Sequence, residues 1–220
     1  MLEAAMLREL GMGILETFYM VLTSTALAYV LGIPIGIVLY ITDDKGICAC
    51  KPVSVILGII GNLMRSIPFI ILLVAILPFT RFLVGTTIGS TATIVPLVIS
   101  AAPFVARMVE SSLKEVDAGV IEAALSMGSN PMQIITKVLL PEAKPSLIVG
   151  SAIAITTILG YSAMAGFVGG GGLGAIAINY GYYRYKYLVM YVAVILLIII
   201  VQIFQSAGTK AAVKSDKRLK

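Results

Sequence analysis

The sequence predicts an all-α polytopic membrane protein with five transmembrane helices, and three observations carry that reading. Of its 220 residues 59% are hydrophobic and 12% charged, against roughly 45–50% and about 25% in soluble domains. Its mean hydropathy is +1.03. Stretches 17–42, 82–106, 145–183 and 187–209 hold no charge, and 52–80 holds only Arg65. A soluble globule of this size cannot hide so much apolar side chain, and disordered chains lack it. No period-2 alternation marks a barrel, so backbone groups in hydrocarbon must be satisfied within helices of about 20 residues.

The first span is read at 15–41. The N-terminus has no basic n-region and carries Glu3, Glu9 and Glu16, so no cleaved signal peptide is expected. A polar stretch, 43–51, follows with Cys48 and Cys50. Two thiols alone make a weak metal site, and they are read as free thiols in a reducing loop. The second span is 54–78. Arg65 is the one charge inside it, and Pro68 predicts a break or kink. Arg65 is read as snorkelling near an interface, with a structural or gating role rather than a substrate-binding one. The third span is 86–108 and the fourth 146–167. The uncharged stretch 145–183 is almost long enough for two helices, but Gly169-Gly170-Gly171-Gly172-Leu173-Gly174 interrupts it, leaving one span and a glycine-rich loop. The fifth span is 187–207. Tyr180, Tyr182, Tyr183, Tyr185 and Tyr187 precede it and read as an interfacial aromatic belt. The pairs Gly32…Gly36 and Gly85…Gly89 fit G-x-x-x-G, a weak packing signal in a glycine-rich chain. The whole chain, 1–220, reads as one domain with a core at about 14–207 and a basic tail, 208–220.

Lysine and arginine set the orientation. With the C-terminus cytoplasmic, the inner segments carry Lys45, Lys51, Arg107, Lys114, Lys137, Lys144, Lys210, Lys214, Lys217, Arg218 and Lys220. The outer ones carry Arg8, Arg81, Arg184 and Lys186. Five spans then place the N-terminus outside.

Much chemistry is excluded. There is no histidine, hence no His metal site, general base or proton relay. Paired carboxylates occur only as Asp43-Asp44, outside the spans. No span has an acidic group near its middle, which argues against a self-sufficient secondary transporter. No G-x-x-x-x-G-K-[ST] is present to bind ATP. The net charge of +5 comes without an aromatic-interleaved basic patch, so no nucleic-acid partner is expected. By elimination the chain is a conduit, and uphill work requires energy from a partner.

The loop 109–144 is too long for a simple turn. Ile121, Ala124 and Leu125 share one helical face. Gly128 can end that helix. Asn130, Pro131 and Gln133 spell the start of a second one as N-cap, first position and capping-box partner. Ile134, Ile135, Val138 and Leu139 line it, and Pro141 and Pro145 are expected to end it. Such a helix pair suits docking into a soluble partner or lying on the bilayer surface, and the pattern leaves both open.

Glu122-Ala123-Ala124, three residues, Gly128, nine residues, then Val138-Leu139-Leu140-Pro141 resembles the EAA loop of type I ABC-importer permeases. Val138 stands where that family usually has Ile. Arg65-Ser66-Ile67-Pro68-Phe69-Ile70, the stretch from Ala101 to Glu110, and Gly160-Tyr161-Ser162-Ala163-Met164 are most similar to permease subunits of methionine importers. The resemblance implies two permease copies, two ATPase subunits that bind ATP and Mg, and a periplasmic or lipid-anchored binding protein. It implies that Glu122, Ala123, Ala124, Leu125, Gly128, Leu140 and Pro141 form the ATPase-coupling contact. It also points Tyr161, Ser162, Met164 and Phe104 at the substrate pathway or gate, with Arg65 and Pro68. Packing is the competing reading for Tyr161, Ser162 and Met164. No cofactor is expected in this chain.

The competing class is an ATP-independent channel or facilitator, for which the 109–144 loop would be ornamental. The chain purified alone is expected to retain no ATP above background in equilibrium dialysis, because it has no phosphate-binding loop.

Overall fold

The computed structural model describes residues 4–215. Eleven α-helices are assigned among them, and no strand. The first, α1, is Ala4–Thr42; α2 is Lys51–Ser66, α3 Phe69–Ala75, α4 Leu77–Val84 and α5 Ser90–Lys114. Three short helices follow: α6 (Ala118–Ser126), α7 (Pro131–Ile134) and α8 (Leu140–Glu142), with a π-helical turn, Ile135–Leu139, between the last two. Then come α9 (Lys144–Ala165), α10 (Gly172–Ile176), a second π turn (Ala177–Tyr182) and α11 (Tyr187–Ser215). Of the basic tail 208–220, residues 216–220, with Lys217, Arg218 and Lys220, lie outside the described residues, as does Glu3.

Among the described residues four helical stretches are long and apolar enough to cross a bilayer: Ala5–Thr42, Ser90–Lys114, Lys144–Val168 and Tyr187–Ser215. The segment expected to span at 54–78 is a bent pair of helices, a fifth span if the pair counts as one, and it breaks at Pro68. Lys51–Ser66 and Phe69–Ala75 meet at a bend of 99°. Pro68 is the cause, since it caps α3 with extended backbone (φ −56°, ψ 133°) and disfavours helical geometry at the residue before it. The helix of the first span starts 11 residues earlier than expected, taking Arg8 and Glu9 into α1. The third runs six residues further, to Lys114. After the glycine-rich loop the helix resumes as α10, so the second half of 145–183 is not loop alone.

The described chain divides into two compact units. One comprises the residues up to Leu27, Ile67–Ala101 and Ile155–Gln205. Its organising feature is the buried start of α10. Helix N-termini leave backbone N–H groups without partners, and α1 supplies acceptors. Glu16 Oε2 accepts from Gly172 N–H at 2.7 Å, and Thr17 Oγ1 accepts from Leu173 N–H at 2.9 Å. The Thr17 hydroxyl itself donates to the Gly13 carbonyl at 2.8 Å. Gly89 N–H donates to the Gly169 carbonyl, tying the same loop to the start of α5. In the tyrosine cluster, Tyr180 Oη donates to Glu9 at 2.6 Å, while Tyr182, Tyr183, Tyr185 and Tyr187 are exposed.

The other unit comprises Ala28–Ser66, Ala102–Ala154 and the residues from Ser206. Here α1 meets α5 through Gly32 and Gly36. A Cβ at Gly32 would lie 2.6 Å from Val105, and one at Gly36 2.5 Å from the Ala106 carbonyl. This G-x-x-x-G pair is a true close contact. The other, Gly85…Gly89, has open space at both positions and serves turns. Val105, Val109 and Leu113 form a buried row along α5. Cys48 and Cys50 are free and exposed, on a turn closed by their own N–H groups donating to the carbonyls of Ile41 and Thr42.

Replacing Thr17 by Val strands the buried Leu173 N–H and is expected to cost about 1–3 kcal/mol. A lowered thermal midpoint in detergent, restored by Thr17→Ser, checks this.

Candidate functional site

The loop between α5 and α9 is built from two capped helices. Asp117 opens α6, its Oδ1 accepting from Gly119 N–H at 2.7 Å. An aspartate just before an apolar-periodic run is a start signal that the sequence carries. The end of α6 is a Schellman closure. Ser129 N–H donates to the Ala124 carbonyl at 3.1 Å and Gly128 N–H to the Leu125 carbonyl at 2.9 Å. Gly128 sits at φ +77°, where a side chain is disfavoured by backbone geometry, since nothing lies within 4 Å of an added Cβ.

Two residues later α7 starts with a complete capping box. Gln133 N–H donates to Asn130 Oδ1 at 2.9 Å, and Asn130 N–H donates to Gln133 Oε1 at 3.0 Å. The helical path does not stop at Pro141 as expected. Proline lacks an N–H, and its ring needs the carbonyl four residues back moved aside. The π turn at Ile135–Leu139, where Leu140 N–H reaches the Ile135 carbonyl, adds the residue that makes this room. The path breaks at Ala143, and Pro145 lies in the first turn of α9.

The loop is anchored by few residues and exposes the rest. Ala124 is 3% exposed and is the one buried residue of α6; Ile134, Ile135 and Leu139 are buried on the second segment. Val120, Leu125, Met127 and Met132 are exposed, Met127 at 79%. Glu122, Ala123 and Pro141 are exposed and Leu140 half-buried. A groove of about 670 Å³ runs beside α6, lined by Tyr40, Ile47, Val116, Ile121 and Leu125 with Asp43, Lys114 and Glu122 among its charged residues.

At the root of the loop lies a set of charges that sequence reading had not joined. Arg107 Nη1 donates to Glu110 Oε2 at 2.7 Å, Lys114 Nζ to Glu110 Oε1 at 2.9 Å and to Asp43 Oδ2 at 3.0 Å. The two pairs along α5 have i,i+3 and i,i+4 spacing and were legible; the partnership with Asp43 was not. The Lys114 ammonium holds the Asp43 carboxyl below its ordinary 3.8, with the Asp44 N–H adding to the effect.

On α9, Tyr161 stacks on Phe69, ring centroids 4.6 Å apart and planes 5° from parallel. This places Tyr161 directly against the residue after Pro68. Ser162 is buried and bonds back to the Leu159 carbonyl at 2.8 Å. Met164 is exposed. Phe104 (half-buried) and Arg65 (exposed, in the last turn of α2) belong to the other unit.

The family described as the binding-protein-dependent transport system inner membrane component matches residues 32–210. The chain belongs to this family of transport permeases. It is 51% identical over 203 residues to the probable D-methionine transport system permease protein MetI of Vibrio cholerae, covering 92% of this chain and 90% of that one. With the D-methionine transport system permease protein MetI of Escherichia coli K12 it shares 51% identity over 154 residues, 70% of this chain and 71% of that one. Among solved structures, an inward-facing form of the MetNI methionine ABC transporter matches with a TM-score of 0.96 at 46% identity, covering 98% of this chain and all of that one. An amino acid ABC transporter matches at 19% identity and a TM-score of 0.77, a likeness of fold.

Within this permease the EAA segment thus splits by burial: Ala124 packs inward, while Glu122, Ala123 and Leu125 face out. The Asp43 carboxyl is stabilised in its charged form, so its contribution is complete above the ordinary carboxylate value and is lost as pH falls through the lowered one. The stability difference between the native permease and its Asp43→Asn variant is expected to be small at neutral pH and to close as pH falls below about 3.8. Thermal melts across pH 2–7, as an approximate range, check this.

Proposed function

We propose that this chain is the membrane-spanning permease subunit of an ATP-driven methionine importer, forming the pathway by alternating access for the D or L amino acid. Two copies pair with two ATPase subunits, and ATP and Mg are held by the ATPases. A periplasmic or lipid-anchored binding protein delivers cargo. The chain sits in the cell membrane with its N-terminus outside and its C-terminus and the 109–144 loop cytoplasmic, in keeping with the distribution of Lys and Arg. The exposed tyrosines before α11 then meet the outer lipid interface.

The observation that carries the reading is the state of α6. A helix with Leu125 and Met127 open to solvent, and Val120 beside them, is unfinished as a surface. Both of its ends are nevertheless closed by hydrogen bonds. This combination suits a rigid body seated in a partner. The exposed carboxylate of Glu122 faces the same contact and makes no ion pair among the described residues. Leu140 and Pro141 stiffen the return path through the π turn. When the ATPases close on ATP, α6 moves as a lever, and the displacement switches the pathway between its two openings.

Cargo selection is assigned to the α9 segment. Tyr161 presents a ring already held flat by Phe69, and Met164 adds an exposed thioether. Ser162 shapes the wall by bonding to its own helix. Phe104 is included among the pathway residues on the resemblance alone. Pro68 creates the break that follows the last turn of α2, where Arg65 sits, and the two act on gating rather than on cargo.

Gly128→Val puts a β-branched residue at a left-handed position and is expected to strain the closure by about 1–2 kcal/mol. In proteoliposomes holding the permease, the ATPase and the binding protein, ATP hydrolysis should persist while methionine uptake falls severalfold. Unimpaired uptake in this variant, or uptake by the permease without an ATPase, overturns the reading.

A further inference from the structure

We propose that Asp43, Arg107, Glu110 and Lys114 are positioning residues. They form a ladder of alternating charge that binds the ends of α1, α2 and α5 into one body at the root of the coupling helix. The inference rests on the reading of α6 as the ATPase contact and goes beyond it by naming what carries the displacement onward.

Both oxygens of Glu110 are engaged, one by Arg107 and one by Lys114, at 2.7 and 2.9 Å. The Glu110 side chain is only 9% exposed. From that centre the ladder reaches two other helices. Arg107 Nη2 donates to the Gly58 carbonyl at 3.2 Å and to Asn62 Oδ1 at 3.4 Å, both on α2. Gly58 makes room for this, since a Cβ there would stand 3.3 Å from the guanidinium. Lys114 reaches Asp43, the residue after α1, at 3.0 Å.

Lys114 is the last residue of α5, three positions before the Asp117 cap of α6. The joint between them is short, and Leu113 and Val116 on it are buried. A push on α6 therefore arrives first at the ladder. With the ladder intact, three helices move together; without it, the end of α5 loses its ties to α2 and to Asp43 and is held to α1 further up, at Gly32 and Gly36. The half-exposed pair of Lys114 with Asp43 contributes little stability, so its value lies in geometry.

The test uses the assembled complex in proteoliposomes, with radiolabelled methionine as the probe and ATP hydrolysed per methionine taken up as the readout. A parallel crosslinking assay uses Met127→Cys on α6 with Cys48 and Cys50 replaced by Ser. Glu110→Gln is expected to raise the ratio about fivefold or more while α6 still crosslinks to the ATPase. Asp43→Asn, a surface change that keeps the partly buried pair, should raise it about twofold, and Asp43→Asn with Lys114→Gln should be less than additive. If Glu110→Gln fails to fold, Asp43→Asn decides. A retained crosslink with an unchanged ratio overturns the ladder and leaves the coupling helix standing. No crosslink in the unsubstituted ladder overturns the coupling reading and this inference with it.

Discussion

Every backbone N–H and C=O that enters hydrocarbon must find a partner within the protein, and the architecture follows from meeting that demand at the places where helices break. Along unbroken helix the demand is met automatically, and threonines go further by bonding back to their own helix, as Thr17, Thr25 and Thr42 do. The difficulty is concentrated at the glycine-rich loop. There the first N–H groups of α10 are buried, and two side chains of α1, far away in sequence, accept from them. Glu16, which looked like one more N-terminal charge, is such a partner.

The same rule explains why the α5–α9 loop is stiff. Its helices are too short to be stable by propagation alone. Asp117, the Schellman closure at Gly128, and the Asn130–Gln133 box satisfy their ends instead. Rigidity of this kind needs few buried residues, which frees Leu125, Met127 and Met132 to remain on the surface. Local hydrogen bonds hold the shape, and the apolar side chains stay on the surface, which is what the proposed lever role requires.

Proline and glycine act here in opposite ways. Pro68 breaks the chain into α2 and α3 because nothing nearby absorbs its constraint. Pro141 does not break it, because the π turn before it takes up one extra residue. Gly32 and Gly36 bring α1 against α5, whereas Gly85 and Gly89, with the same spacing, pack against nothing and close turns. Spacing alone could not separate these cases, since each depends on what stands opposite.

Some features were therefore written in the chain itself. Composition and uncharged stretches decide that it is a helical membrane protein, since the transfer of apolar and charged groups depends on residue type and not on neighbours. The Asn130 cap and the Gly128 end were legible because their partners lie within six residues, and the EAA segment because its motif is contiguous in the chain. Only the tertiary structure decided the rest: the size of the bend at Pro68, the resumption of helix as α10, the capture of its N-terminus by Glu16 and Thr17, the Tyr161–Phe69 stack, and the reach of Lys114 to Asp43. Each of these joins groups tens of residues apart or more, or turns on how much space surrounds a ring. Local sequence carries no record of what folding will place across from a side chain.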